Sequence, residues 1–377
     1  MLVPFYRHQL GEDELNSIKR VFDSDILTTG IEVDQFERKF SDFLGLKKSV
    51  GLQSCTAALQ LALEAYEFEE GSEVITTPMT FVATSLAIKQ ARLVPVFAPI
   101  ERETGNIDIS KLDSYISSKT VAIIPVHLFG QMVDMIALSS FCKKHNLKCI
   151  EDSAHCVEGS RDGIRVGELS DAACFSFYAT KNLSCGEGGC LSTNDEELAR
   201  KVYLLRSHGV NKTAFNRYNE GYSHWNLSVL GWKYNMDNIH ASILLPQLPL
   251  IESKRRQRER AASYYDHKLA RNPLVSQVTR KQRVIHARHL YPIKVNIQIR
   301  DMLLEHLKSM GVGVVVNYRC LSSYPEILKI SRSTEDSFII SKEFGDSVLS
   351  LPLFPGITRD QQDHVIEALS TFSLSNY

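Results

Sequence analysis

Residues 175–189 read FSFYATKNLSCGEGG, an aromatic, apolar run that passes directly into a polar, glycine-rich stretch holding Lys181. The first half has the composition of a buried strand, and the glycines and serines that follow have that of a loop. Lysine is ordinarily solvent-exposed. One that lies a few residues past the end of an aromatic strand delivers its amine to the cleft beyond the strand ends, where open α/β sheets bind ligands. An amine held there can lose its proton and attack a carbonyl. A surface lysine in an ordinary loop would look the same taken alone, so the neighbouring segments decide between the two readings.

Working outward, short apolar runs alternate with amphipathic stretches from about residue 50 to 195, the pattern of a parallel sheet covered by helices. Strands are predicted at Val94 to Phe97, Val121 to Val126, Leu147 to Ile150, Cys174 to Tyr178 and Gly189 to Leu191. Crossover helices are predicted at Met135 to His145 and Asp195 to Arg206, the second with Asn194 and Asp195 as cap candidates. A long charged segment at 244–270 precedes Val284 to Val295, Met302 to Val316 and Asp360 to Leu369, which suggest a smaller α/β unit. The division expected is a large domain over 1–246 and a smaller C-terminal domain over 247–377. Lys254, Arg255, Arg256, Arg258 and Arg260, with Glu252 and Glu259 among them, read as a solvated helix face.

The 377 residues carry 43 basic and 44 acidic side chains, a balance without the electrostatic footprint of a nucleic-acid binder. Eight cysteines with no Cys-x-x-Cys pair, in a chain long enough to bury its own core, read as reduced thiols. The opening MLVPFYRHQLGEDEL lacks the basic start and apolar run of a signal peptide, and no stretch has the length and apolarity of a membrane span. A cytoplasmic setting, with no membrane partner and no metal, is expected.

The other parts of a pyridoxal 5'-phosphate site can be sought around Lys181. The pyridine nitrogen needs a carboxylate to keep it protonated. Asp152, in EDSAH at 151–155, ends a predicted strand at the same sheet edge, and His155 could reach the ring hydroxyl. An Asp capping the next turn is the simpler alternative. The phosphate needs N–H donors at a helix start, and SCTAALQLALEAY at 54–66 offers Ser54 and Thr56 ahead of an Ala/Leu helix, although an ordinary cap would read the same way. Ser176 is a further phosphate candidate, or a serine bonded to backbone. Phe81 could stack on the ring, or belong to the core.

The whole pattern resembles the DegT/StrS-type sugar aminotransferases. The resemblance rests on LTTG at 27–30, SCTAAL at 54–59, TPMTFVAT at 77–84, AIIPVHLFGQ at 122–131, EDSAH, FSFYATKNL at 175–183, RSHG at 206–209, YNMDNIHA at 234–241 and LSLPLFPG at 349–356. It implies the fold type I architecture, with a mostly parallel, mixed seven-stranded sheet in the large domain. It implies Lys181 as the Schiff-base lysine and catalytic acid and base, Asp152 as the pyridine partner, His155 at the phenolic oxygen and Phe81 on the ring. Cys55 and Thr56 would supply backbone donors to the phosphate and Ser176 a hydroxyl, with Asn235 reaching in from the neighbouring subunit of a homodimer that shares its sites.

By the same resemblance the donor is L-glutamate, leaving as 2-oxoglutarate, and the acceptor is a nucleotide-linked keto-sugar. The SCGEGG loop is similar to that of members that aminate the 4-position, which implies a 4-keto-6-deoxy sugar. Thr29, Glu187 and Tyr318 are the candidate substrate contacts. Two positions depart from the family pattern: Cys55 replaces a Gly or Ala, and Asn317 stands where a His-Tyr pair is usual. The rival expectations are a 3-keto sugar aminotransferase, another fold type I enzyme, and a regulatory protein that binds the cofactor without turnover. Lys181 argues against the family's dehydratases, which carry histidine there.

Overall fold

The computed structural model describes residues 1–210, 226–333 and 335–373. The N-terminal part holds strands β1 (Lys48–Leu52), β2 (Glu73–Thr76), β3 (Val94–Phe97), β4 (Thr120–Ile124) and β5 (Lys148–Asp152). A short hairpin, β6 (Ser160–Arg161) and β7 (Ile164–Arg165), comes next, followed by β8 (Ala172–Ser176) and β9 (Gly189–Thr193). Seven of these form one sheet in the order β1-β9-β8-β5-β4-β2-β3. Its neighbours are parallel except at β9, which runs antiparallel to both β8 and β1. The C-terminal ends of β1, β2, β4, β5 and β8 therefore open on one edge, and Cys55, Thr56, Phe81, Asp152, His155, Ser176 and Lys181 lie at or just beyond those ends.

The strands fit the composition that forms them. β8, AACFS, is buried at every position, as a central strand covered on both faces must be. Two apolar cores lie on the two faces of the sheet. One gathers Phe36, Phe40, Phe175 and Phe177 under α2 (Ile31–Leu44), and the other gathers Leu59, Ala62, Ile124 and Cys174 under α3 (Cys55–Ala65). Phe175 and Phe177 each meet Phe40 edge-on at 5.1 and 5.5 Å.

The predicted strand positions hold to within two residues, but β1 and β2 were not among them. KSVGL and EVIT are short and carry Lys, Ser and Glu, so neither shows a clean apolar run. Glu73 is nonetheless buried, with the Ser117 hydroxyl at 2.6 Å and Arg332 at 3.0 Å. The predicted helix start at residue 195 is present, with Asp195 Oδ1 accepting from the N–H groups of Glu197 and Leu198.

Beyond residue 250 a 19-residue helix, Ile251–Leu269, leads to a three-stranded sheet β10-β12-β13 of Val275–Gln277, Tyr291–Val295 and Val348–Leu351. Its core packs Ala262, Tyr265, Ile293, Leu303, Leu349 and Val365, and includes Val3. Val3 bonds Gly311 and Gly313 through its backbone, so the first residues of the chain lie on this C-terminal unit. The intervening β11 (Val284–Ile285) pairs with β6, forming a separate three-stranded sheet β11-β6-β7 with the hairpin that follows β5. The basic run is not wholly solvated: Arg258 has a side chain only 2% exposed and pairs with equally buried Glu158. Helical spacing gives the face on which Arg258 sits, but not what meets that face. All eight cysteines are free and buried. Among the described residues no helix is long and apolar enough to cross a membrane.

Candidate active site

Asp152 is the last residue of β5, and strand alternation sends its side chain to the face opposite that of Glu151. Glu151 goes to a fully buried pair with His127 at 2.6 Å; His127 Nδ1 accepts from the Val133 N–H, which leaves Nε2–H to donate to the carboxylate. Asp152 instead meets the Thr84 hydroxyl, which donates to Oδ2 at 2.7 Å and accepts from Thr80 at 2.9 Å. The Ala154 N–H donates to Oδ1 at 3.2 Å. One carboxylate oxygen thus does cap the following turn, while the other is aimed by Thr84. Burial pushes the carboxyl above its ordinary range, and the two hydrogen bonds together with Lys181 and His127 oppose that shift.

Lys181 lies five residues beyond β8, its N–H bonded to the Tyr178 carbonyl at 2.8 Å. The side chain still reaches solvent, yet the protein around the amine is dense enough to bring it down to about 8, with Asp152 and Cys55 opposing the shift. An amine at that value is partly neutral near pH 8, the state required of a nucleophile or a proton acceptor.

His155 is set by two bonds. Phe129, whose left-handed backbone (φ 60°) is costly for a bulky residue, turns its N–H onto His155 Nδ1 at 3.2 Å. Because Nδ1 accepts, the neutral ring carries its proton on Nε2, which faces the Tyr318 hydroxyl at 3.0 Å. Burial, then Lys181, hold the imidazole well below its ordinary range, so it stays neutral. Tyr318 also lies 6.0 Å from the ring of Phe81, which is 58% exposed at the start of α4 (Ala83–Gln90). The structure therefore joins Asp152, Thr84, Phe81, Tyr318 and His155 into one series of contacts, with Lys181 electrostatically coupled to it.

The phosphate candidates lie at the adjoining strand ends. Ser54 caps α3, accepting from the Ala57 N–H at 3.1 Å, so the capping reading holds for its hydroxyl. The N–H groups of Cys55 and Thr56, in the first turn, have no intrahelical acceptor. The start of α3 nests against β9: a Cβ on Gly189 would lie 2.2 Å from the Ser54 carbonyl carbon, so only glycine fits. Cys55 Sγ is 4.0 Å from Asp152 Oδ1, and burial keeps it a thiol. Ser176 ends β8, accepting from the Tyr178 N–H at 3.3 Å.

Thr29 and Asn235 come together beside the end of β1, where Asn235 bridges Leu52. Asn235 donates to Thr29 Oγ1 at 2.7 Å and accepts from Lys233, while Thr29 donates to the Met236 carbonyl. Within one chain they bond each other and none of the cofactor candidates. Glu187 is exposed in the loop after Lys181, close enough to His240 to act on its charge. Among the described residues no group of His, Cys, Asp and Glu is arranged to hold a metal. The sequence reading missed Thr84, although TPMTFVAT was singled out. A hydroxyl three residues after Phe81 was the available signal. It also missed Asn182 and His289, whose 3.4 Å contact joins segments 107 residues apart.

Comparison with known proteins gives this geometry a family. SpsC of Bacillus subtilis, a spore coat polysaccharide biosynthesis protein, is 36% identical over 373 residues, covering 97% of this chain and 96% of its own. The structure of Helicobacter pylori PseC, an aminotransferase involved in pseudoaminic acid biosynthesis, superposes with a TM-score of 0.91 at 28% identity, covering 98% of both chains. The PLP form of the sugar aminotransferase Spr1654 from Streptococcus pneumoniae gives 0.89 at 26% identity, again covering 98% of both. The match to the DegT/DnrJ/EryC1/StrS model spans residues 8–370, and the chain belongs to that family of pyridoxal-phosphate-dependent aminotransferases, which includes sugar aminotransferases.

Proposed function

We propose that the chain transfers an amino group from L-glutamate to a nucleotide-linked 4-keto-6-deoxy sugar, giving a 4-amino sugar, with Lys181 as the catalytic residue. The observation that carries this reading is the Lys181 amine, brought down to about 8 and coupled to the buried, doubly bonded carboxylate of Asp152.

The residues fit pyridoxal phosphate. The free first-turn N–H groups of Cys55 and Thr56, with the Ser176 hydroxyl, suit a phosphate. Asp152 suits a protonated ring nitrogen, His155 Nε2–H a phenolic oxygen, and the open face of Phe81 a stacked ring. When bound, the cofactor supplies the electron sink that lets a proton leave the carbon beside its nitrogen. Lys181 would take that proton and return it to the carbon on the other side of the shared nitrogen, as base and then as acid. Asp152, held by Thr84, keeps its charge where the ring needs it. The same residues serve in reverse on the sugar ketone, which makes the reaction ping-pong.

The SCGEGG loop supports the 4-position, and Tyr318, against His155 and Phe81, and the exposed Glu187 are the residues we assign to the sugar. SpsC's polysaccharide role and PseC's part in pseudoaminic acid biosynthesis support a sugar acceptor. In its own chain Asn235 bonds Thr29 and Lys233 and none of the other cofactor candidates, which supports Asn235 serving the partner's site in a homodimer, with Thr29 beside it. The division into domains at residue 246 and a cytoplasmic setting belong to the same proposal.

The test is an absorbance spectrum of protein with pyridoxal phosphate, before and after glutamate, for wild type and Lys181→Ala, followed by product assays on 4-keto and 3-keto nucleotide sugars. A yellow band that glutamate bleaches, and that borohydride fixes to the chain only when Lys181 is present, is expected. A wild type that takes up no cofactor, or amination of the 3-keto substrate alone, overturns the corresponding half of the proposal.

A further inference from the structure

Asn182, the residue after Lys181, is attached more firmly than the turn it belongs to. Its Nδ2 donates to Glu158 Oε2 at 3.0 Å and to the Ala287 carbonyl at 3.0 Å. Neither partner can donate, so the amide has one orientation, and Oδ1 faces His289 Nδ1 at 3.4 Å. Glu158 is in turn held by Arg258, both side chains 2% exposed, and Arg258 Nε donates to the same Ala287 carbonyl at 3.2 Å. The three anchors come from three parts of the chain: the loop after β5, the helix Ile251–Leu269, and the segment leading to Tyr291–Val295.

By contrast, Lys181's own backbone has one good bond, to Tyr178, and a 3.5 Å contact from the Tyr6 hydroxyl to its carbonyl. A lysine side chain is long and flexible, so the reach of its amine depends on where its Cα is held. Resting on the reading of Lys181 as the proton carrier, we propose that Asn182, clamped by Glu158 and Arg258, is the positioning residue that sets Lys181 over the carbon from which the proton is drawn. The clamp is neutral overall, an ion pair with an amide, so it can be buried beside a reactive amine without adding net charge. A buried pair that loses one member is strongly destabilising, so Asn182 is the member to test.

Asn182→Ala and the equally sized Asn182→Asp are compared with wild type in two measurements. The first is the single-turnover rate at which glutamate bleaches the lysine-linked band. The second is the pH dependence of Lys181 labelling by trinitrobenzenesulfonate in cofactor-free protein, read by peptide mapping. Both variants are expected to keep the borohydride-fixable band but bleach about 100-fold more slowly, the scale of a reactant displaced by about 1 Å. The labelling midpoint should rise toward that of an ordinary lysine, since a released amine regains water. Asn182→Asp should recover rate as pH falls, because a protonated carboxyl again donates to Glu158, and Asn182→Ala should not. Wild-type bleaching with an unmoved labelling midpoint in either variant overturns the proposal. If Asn182→Ala does not fold, Asn182→Asp decides alone: recovery at low pH supports the clamp, and a flat profile removes it. A failure of the Lys181 reading is a separate result, seen as a wild type without the band.

Discussion

Asp152 and Phe81 belong to the same series of contacts and are held in opposite ways. The carboxylate is buried and takes two hydrogen bonds from its own chain, from Thr84 and Ala154. The Phe81 ring is 58% exposed, and the nearest ring is the tilted one of Tyr318 at 6.0 Å. One side of the site is preorganised by hydrogen bonds, while the other presents an open ring face. Electrostatic work is best done by groups that need not move, whereas a binding face can close on what it binds.

Four measurements would break or sharpen that contrast. Asp152→Asn should bring the largest loss, a fall in single-turnover rate of about 100- to 10,000-fold, the range ascribed to a proton-handling group. The lysine-linked band should survive, and an unchanged rate would show that the preorganised side does nothing. The second effect is on pH. Lys181 labels when neutral, so labelling in cofactor-free wild type should rise as pH rises through about 8. Asp152 favours the charged amine, so in Asp152→Asn the midpoint should move down. An upward shift would contradict the coupling.

Thr84→Val, which keeps shape but removes the donor, should slow bleaching by about 10-fold or more, since a bond to a charged acceptor contributes about 1.5–3 kcal/mol. Full activity there would mean that the Ala154 N–H alone orients Asp152. Tyr318→Phe should cost less than about 10-fold, as expected for one neutral hydrogen bond, and mostly in KM for the sugar. A loss equal to that of Asp152→Asn would erase the distinction between the two sides.

The chemistry-bearing residues were legible where sequence and space coincide. Lys181 and Asp152 each follow an apolar strand closely, so strand pattern alone carries them to one edge. β1 and β2 were not legible, because five and four residues with Lys, Ser or Glu among them give too little periodicity. Thr84 showed only as a hydroxyl three residues after Phe81, because its partner is 68 residues away and nothing in either segment names the other. Glu158 and Arg258, 100 residues apart, are the extreme case. Arg258 sits in a run of like charges that reads as a solvated surface, and only the packing of the helix reveals that one of them is turned inward.

The antiparallel strand β9 has a consequence for how the chain folds. Within the large sheet β1 pairs only with β9, Leu52 opposite Gly189, and β9 is the last of that sheet's strands along the chain. The start of α3 rests against that same Gly189. Closing so long a loop is slow relative to local pairing. In a refolding experiment, phosphate affinity should therefore arise with the last strand to enter the sheet, well after the bulk of the helical signal, and the ligand would act as a late lock on a nearly finished fold.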